Sequence, residues 1–253
     1  MIRFTFSLAV AWLGLWIAPL SAGVVYIDEN FDTYADTAAM QAVWGNAGLG
    51  TLDTGAGNPG QSAAHPGGAD NTRSFTAFNP TATDHLRLTG QIYDDATSAN
   101  KRMSIGLRNS SGANIIEMGF YNSPVFYAAR VVLFQSGNPS WVAFPNPAAP
   151  PAVLTTPVKG WHTFSVEISN NTVDFSLDLG SDGTIDSTQH FDSVAGATGF
   201  NQLRIGGPSG VSSPGGPAKF DNLKLETISV PEPASAVVCA LLGCLFMVRR
   251  RRR

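Results

Sequence analysis

The sequence predicts an all-β protein, an antiparallel sandwich held between two short apolar end segments. Three observations carry that expectation. Apolar and polar residues alternate with period two in several short runs, the turns between the runs are rich in Gly and Asn, and helical character is confined to Thr37 to Val43, where Asp36 is placed as the cap. Successive side chains of a strand point to opposite faces, so this alternation gives each strand one apolar and one wet side. Many short strands with almost no helix mean a sandwich or a barrel.

Taken in order, the strand candidates are Val24–Asp28, Leu86–Tyr93, Met103–Leu107, Ile116–Phe120, Val125–Phe134, Trp161–Ile168, Thr172–Leu179, Leu203–Ile205 and Phe220–Glu226. The clearest pair flanks Asn170-Asn171: Phe164, Val166 and Ile168 share one face of the first strand, and Val173, Phe175, Leu177 and Leu179 one face of the second. Two Asn residues tolerate positive φ, which predicts a hairpin closed by a type I′ turn. A second hairpin joins Met103–Leu107 to Ile116–Phe120 across Asn109-Ser110-Ser111-Gly112. The proline-rich run Pro145 to Pro151 lacks the backbone donors of a central strand and is read as a loop within one domain.

Charge is unevenly spread. Of 16 basic residues, Arg3 and Arg249 to Arg253 lie at the ends, which leaves 10 between Gly23 and Val230 against 18 acidic ones, net −8. An acidic body argues against nucleic acid, whose phosphates need clustered Lys and Arg. Both cysteines, Cys239 and Cys244, sit in the C-terminal apolar segment, so the body carries no disulfide and rests on core burial.

The ends read as addresses. Residues 1–22 combine Arg3, an apolar run from Leu8 to Ile17, the breaker Pro19 and small residues at Ser21-Ala22, the pattern of a secretory signal peptide cleaved between Ala22 and Gly23. At the other end stand Pro231-Glu232-Pro233, an apolar stretch over 234–248, and Arg249, Arg250, Arg251, Arg252 and Arg253. The apolar stretch predicts a single short transmembrane helix of about 22 Å. Five arginines keep their end cytoplasmic and the body outside. This order of parts resembles the PEP-CTERM sorting signal of Gram-negative bacteria, over residues 228–253. The resemblance implies an exosortase-like membrane transpeptidase as partner, acting near Pro231, Glu232 and Pro233. It also implies transient anchoring in the inner membrane with the body in the periplasm, then display at the cell surface or in extracellular matrix.

A second resemblance covers the body, residues 23–227. Glu29-Asn30-Phe31-Asp32-Thr33-Tyr34 with Trp44, the strand start Gly160-Trp161-His162 and the closing Phe220-Asp221-Asn222-Leu223-Lys224-Leu225 are similar to the concanavalin A/laminin-G-like jelly roll. That family often serves sugar-binding or adhesive roles, which implies extracellular polysaccharide as a partner.

No catalytic pattern accompanies it. The acidic strand Glu-x-Asp-x-x-Glu of glycan-cleaving jelly rolls is absent, and His65, His85, His162 and His190 are too scattered for zinc. The run Asp178 to Asp186 offers two readings: a tight Asp182-Gly183 turn with solvated carboxylates, or a calcium loop with Asp178, Asp182 and Asp186 as ligands. Ca2+ is the one cofactor the sequence offers. Among the aromatics, Trp141 beside Ser140 is the candidate ligand contact. The expectation is therefore an exported, non-enzymatic envelope protein, with a lectin-like adhesive module and a glycan hydrolase or lyase as the alternatives.

Overall fold

The structure, a computed structural model, describes residues 23–45, 50–68, 70–96, 102–111, 114–133, 138–192, 198–207 and 218–230. The chain begins with β1 (Val25–Glu29), α1 (Thr37–Val43), β2 (Thr51–Gly57), β3 (Gly60–His65), β4 (Asp70–Phe78) and β5 (Asp84–Asp94). There follow β6 (Ser104–Arg108), β7 (Ile115–Phe120), β8 (Tyr127–Val132), β9 (Asn138–Ala143) and β10 (Gly160–Ile168). The last four are β11 (Thr172–Leu179), β12 (Ser187–Asp192), β13 (Phe200–Gly206) and β14 (Ala218–Ser229).

These strands form two antiparallel sheets, the predicted sandwich. One has eight strands in the order β12-β11-β10-β5-β14-β3-β2, with β1 beside β14; the other has six, β4-β13-β6-β7-β8-β9. One hydrophobic cluster lies between them. The eight-stranded sheet contributes Leu86, Leu88, Ile92, Phe164, Val166, Ile168, Phe175, Leu177 and Leu225, the six-stranded sheet Ile105, Leu107, Ile116, Met118, Val131, Leu203 and Ile205. Each large apolar side chain fully withdrawn from water is worth about 1.5–3 kcal/mol, the main cohesive term in a body without disulfides.

The motif Glu29 to Tyr34 with Trp44 is a structural corner. The buried Glu29 carboxylate accepts from the Phe31 amide (2.9 Å), the Tyr34 hydroxyl (2.6 Å), Trp44 Nε1 (3.1 Å) and Arg73 Nη1 (2.8 Å). It thereby ties β1, α1 and β4 together. The helix spans the predicted Thr37–Val43, and the Asp36 side chain caps it by accepting from the Ala39 amide at 2.8 Å.

The β10–β11 hairpin forms in the expected register, with Ile168 opposite Val173 and Phe164 opposite Leu177. Its turn differs from the sequence expectation: neither Asn170 nor Asn171 has positive φ. The Ser169 hydroxyl oxygen instead accepts from the amides of Asn171 (3.1 Å) and Thr172 (2.8 Å), so a side chain takes over the role that turn backbone was expected to play. No helix among the described residues is long and apolar enough to cross a membrane, and the segment 234–248 lies outside them.

Candidate ligand-binding face

Alternation fixes what the six-stranded sheet presents away from the core. Leu203, Ile205, Ile105, Leu107, Ile116, Met118, Ala129 and Val131 point inward, so Arg204, Gly106, Glu117 and Arg130 point outward. The register sets these four side by side across four strands: Arg204 opposite Gly106, Gly106 opposite Glu117, Glu117 opposite Arg130.

Gly106 makes the row possible. A Cβ there would lie 2.5 Å from the Ile116 carbonyl oxygen and 2.8 Å from Glu117 Cγ. Without one, the Glu117 side chain crosses β6 and meets Arg204 from the far strand. Glu117 Oε1 also accepts from Arg108 Nη2 (2.9 Å), and Oε2 accepts from Arg130 Nε and Nη2 (2.9 Å each). Arg204 in turn donates to Asp70 Oδ1 at the end of β4, and Arg108 Nη1 lies 3.6 Å from Asp70 Oδ2.

Arg204 and Glu117 are both 0% exposed, while Arg108, Arg130 and Asp70 around them remain partly open to solvent. Burial alone would push the Glu117 carboxyl up, but the three guanidinium groups outweigh it and hold the carboxyl below its ordinary range. Asp70 goes the other way, since burial raises it against the pull of Arg204 and Arg108. His65, buried at the end of β3 in the other sheet, is pushed down to about 4 by burial and then by the Arg204 charge.

Beside this network runs a stack of cations and rings. Arg130 lies over the Trp141 ring at 5.1 Å, Trp141 stacks on Tyr121 at 5.3 Å with 29° between their planes, and Arg102 lies over Tyr121 at 5.3 Å. Trp141 is thus half-buried inside an Arg-Trp-Tyr-Arg stack on the outer side of β9.

Buried polar atoms lacking a partner concentrate here. Among the described residues, seven of the eight side chains that carry one belong to this sheet or its strand ends: Arg102, Ser104, Arg108, Asn122, Trp141, Asn201 and Arg204. A buried polar group without a hydrogen bond costs roughly 1–3 kcal/mol, so their gathering on one face needs a cause.

The outer face of the eight-stranded sheet is built differently. An open groove of about 570 Å³ runs over β5, β10, β11 and β12, and its polar groups close on one another. His85 and Arg87 both reach Glu167 (2.7 and 3.1 Å), Thr89 pairs with Ser165 (3.1 Å), and His190 sits between Asp174 and Asp192.

The carboxylates proposed from sequence as calcium ligands serve their own loop. Asp178 accepts from the amides of Asp182 (3.1 Å) and Gly183 (2.9 Å), Asp182 from Thr184 (2.8 Å), and Asp186 from Leu179 (2.6 Å). Gly180, Ser181 and Gly183 have positive φ. The Asp182-Gly183 turn is present, but Asp178 is buried rather than solvated; among the described residues no group of three or more His, Cys, Asp or Glu side chains is placed to hold a metal ion. His162 is a core residue: Nδ1 accepts from the Gly180 amide and Nε2 donates to the Val158 carbonyl.

Of the sorting residues, Pro231, Glu232, Pro233 and Arg249 to Arg253 lie outside the described residues, as does Ala22; Gly23 is exposed. The arginine network was invisible in sequence because its members are far apart, Glu117 and Arg204 by 87 positions. The one local signal was Glu117, a carboxylate on the wet side of an otherwise apolar strand.

No family model matches the chain, and no curated protein is similar to it in sequence. Solved structures are similar in fold. Domain 4 of the extracellular arabinanase AbnA from Geobacillus stearothermophilus, in complex with arabinotriose, superposes with a TM-score of 0.50 at 10% identity, over 83% of this chain and 95% of that one. A carbohydrate esterase from the Shiga toxin-encoding bacteriophage phi24B gives 0.48 at 10% identity, over 83% and 100%. The exoplasmic/lumenal domain of VIP36, in its Ca2+/mannose-bound form, gives 0.46 at 9% identity, over 72% and 82%. The first of these establishes the likeness as one of fold.

Proposed function

We propose that this is an exported envelope protein whose sandwich binds a saccharide on the outer face of the six-stranded sheet, without turning it over. One observation carries the reading: buried, unpartnered donors gather on that face beside the Trp141–Tyr121 stack, while the opposite face satisfies its own polar groups. Sugars present dense hydroxyls and ring oxygens, the partners such donors lack. The arabinotriose-bound arabinanase domain shares the fold and makes the ligand class a natural one to test.

Binding rather than turnover fits the state of Glu117. Its two oxygens are committed to three guanidinium groups that hold it ionised, and a general acid needs a proton near neutral pH. Residues 228–253 supply the address in this reading: an exosortase-like transpeptidase acts near Pro231, Glu232 and Pro233, the apolar stretch 234–248 anchors the chain in the inner membrane, and the arginines stay cytoplasmic.

A glycan array probed with the full chain tests the body's role. The expected result is retention by a subset of saccharides that Trp141→Ala weakens at least tenfold; silence by a folded chain across the array would overturn it. Mass spectrometry of the exported protein tests the address, where loss of the residues after Pro233 is expected and an intact Arg253 contradicts it.

A further inference from the structure

We infer that the saccharide taken by the six-stranded face is acidic, carrying a uronate carboxylate or a sulfate ester that docks on Arg102, Arg108 and Arg130, above the buried Arg204. This rests on the reading that the face binds saccharide and names the class.

The first support is charge. The acidic body between Gly23 and Val230 has six arginines, and four of them lie on this face. Glu117 and Asp70 neutralise two, so the cluster keeps an excess of two cations within a molecule of the opposite sign. The two carboxylates are at the base of the cluster, where they hold the guanidinium groups in place rather than quench them all.

The second support is the kind of hydrogen-bonding capacity left over. The unpartnered atoms on this face are Arg102 Nε, Arg108 Nε, Arg204 Nε and Trp141 Nε1, all obligate donors, with the Ser104 hydroxyl able to play either part. Among the described residues the two unpartnered acceptors, on Asn122 and Asn201, lie at strand ends: Asn201 at the register shift that opens β13, and Asn122 past the end of β7. A neutral sugar hydroxyl brings a donor along with its acceptor lone pairs. A carboxylate or sulfate brings acceptors alone, and its planar or fork-like oxygens suit the guanidinium edge.

The third support is what the aromatic stack withholds. Neutral pyranoses are commonly held by stacking on an open ring face. Here Arg130 and Tyr121 both occupy the π surface of Trp141, and Arg102 covers Tyr121. The stack therefore presents charge and an indole N–H rather than a bare apolar plate. The arginines, held by rings and carboxylates, are pre-organised, which lowers the ordering cost of binding.

Calorimetric titration of the full chain with paired ligands tests this. One pair is an oligogalacturonate and the same oligomer with its carboxyls methyl-esterified; the other is a sulfated galactan oligomer and its desulfated form. The acidic member of at least one pair is expected to bind tenfold or more tighter than its neutral partner, with an advantage that shrinks as salt rises from about 0.05 to about 0.5 M. Which pair discriminates identifies carboxylate or sulfate. Arg102→Gln, which removes a cation without touching the buried carboxylates, is expected to cost several-fold for the acidic ligand alone, and a folded variant with undiminished acidic binding would contradict the docking site. Equal or preferential binding of the neutral members, or binding confined to neutral saccharides on the array, overturns the inference while the saccharide reading stands. No binding to either pair or to any saccharide on the array ends both.

Discussion

The two outer faces of the sandwich use the same residue types to opposite ends. On the eight-stranded sheet His85, Arg87 and Glu167, or Asp174, His190 and Asp192, pair across neighbouring strands, and among the described residues of that sheet the one buried side-chain atom without a partner is His65 Nε2, at the end of β3. On the six-stranded sheet Glu117 is drawn under three arginines, and the guanidinium Nε atoms are left over. The difference teaches that two faces with similar charge can differ in how much hydrogen-bonding capacity they leave unmet, and the proposed saccharide site rests on that surplus. Cross-strand pairing satisfies a face when partners are adjacent. It leaves a surplus when one carboxylate anchors several cations.

The comparison can be broken by removing one carboxylate from each face. Glu117→Gln leaves buried guanidinium charge uncompensated and is expected to lower stability by about 3–5 kcal/mol in denaturant titrations. Glu167→Gln, from a carboxylate 33% exposed, should cost under about 1 kcal/mol. Equal costs would mean that the two networks are not different in kind.

Gly106→Ala sharpens it further. The added methyl meets the Ile116 carbonyl and Glu117 Cγ, so the Glu117–Arg204 bridge must shift. The expected cost is about 1–3 kcal/mol, together with loss of saccharide retention, checked by thermal unfolding and by the array.

Two buried groups give opposite pH slopes. His65 titrates at about 4 in the folded chain and near its ordinary 6.5 when unfolded. The unfolded state therefore binds more protons between these values, and stability is lost as pH falls through that window. Asp221 is pushed up to about 6, chiefly by burial, so the folded state binds the extra proton and stability is gained as pH falls from about 6 to about 4. Relative to the parent chain, His65→Gln should lessen the loss of stability on acidification and Asp221→Asn should deepen it. Denaturant titrations at both ends of the window read the signs. The smallest effect expected is that of His190→Gln, whose exposed pairs on the eight-stranded face should leave the unfolding midpoint within error.

Much of the sandwich is legible in the amino-acid order. Thr172–Leu179 and the helix Thr37–Val43 match residue for residue, because alternation and a capping Asp are local signals. Strands β2, β3, β4, β9 and β12 are not among the strands that the sequence predicts. Thr51–Gly57 and Gly60–His65 are rich in Gly, Ala and Asp, poor strand formers; β3 is held by pairing with distant β14, and β2 by pairing with β3, rather than by propensity. In the same way Trp141 stands out by residue type, whereas the cluster beside it does not. Arg108, Arg130 and Arg204 become neighbours only through the register of β6, β8 and β13 around Glu117 and Asp70.

The faces carry their own reporters. Trp141 lies on the six-stranded face, Trp161 beside Tyr93 on the eight-stranded face, and Trp44 is buried with its indole N–H donated to Glu29. In a titration of isotope-labelled full chain with the saccharide that the array selects, followed by two-dimensional NMR of the indole N–H groups, the Trp141 resonance is expected to move in proportion to occupancy while those of Trp161 and Trp44 hold still. Movement of Trp161 with Trp141 unchanged would place the ligand on the other sheet and contradict the account.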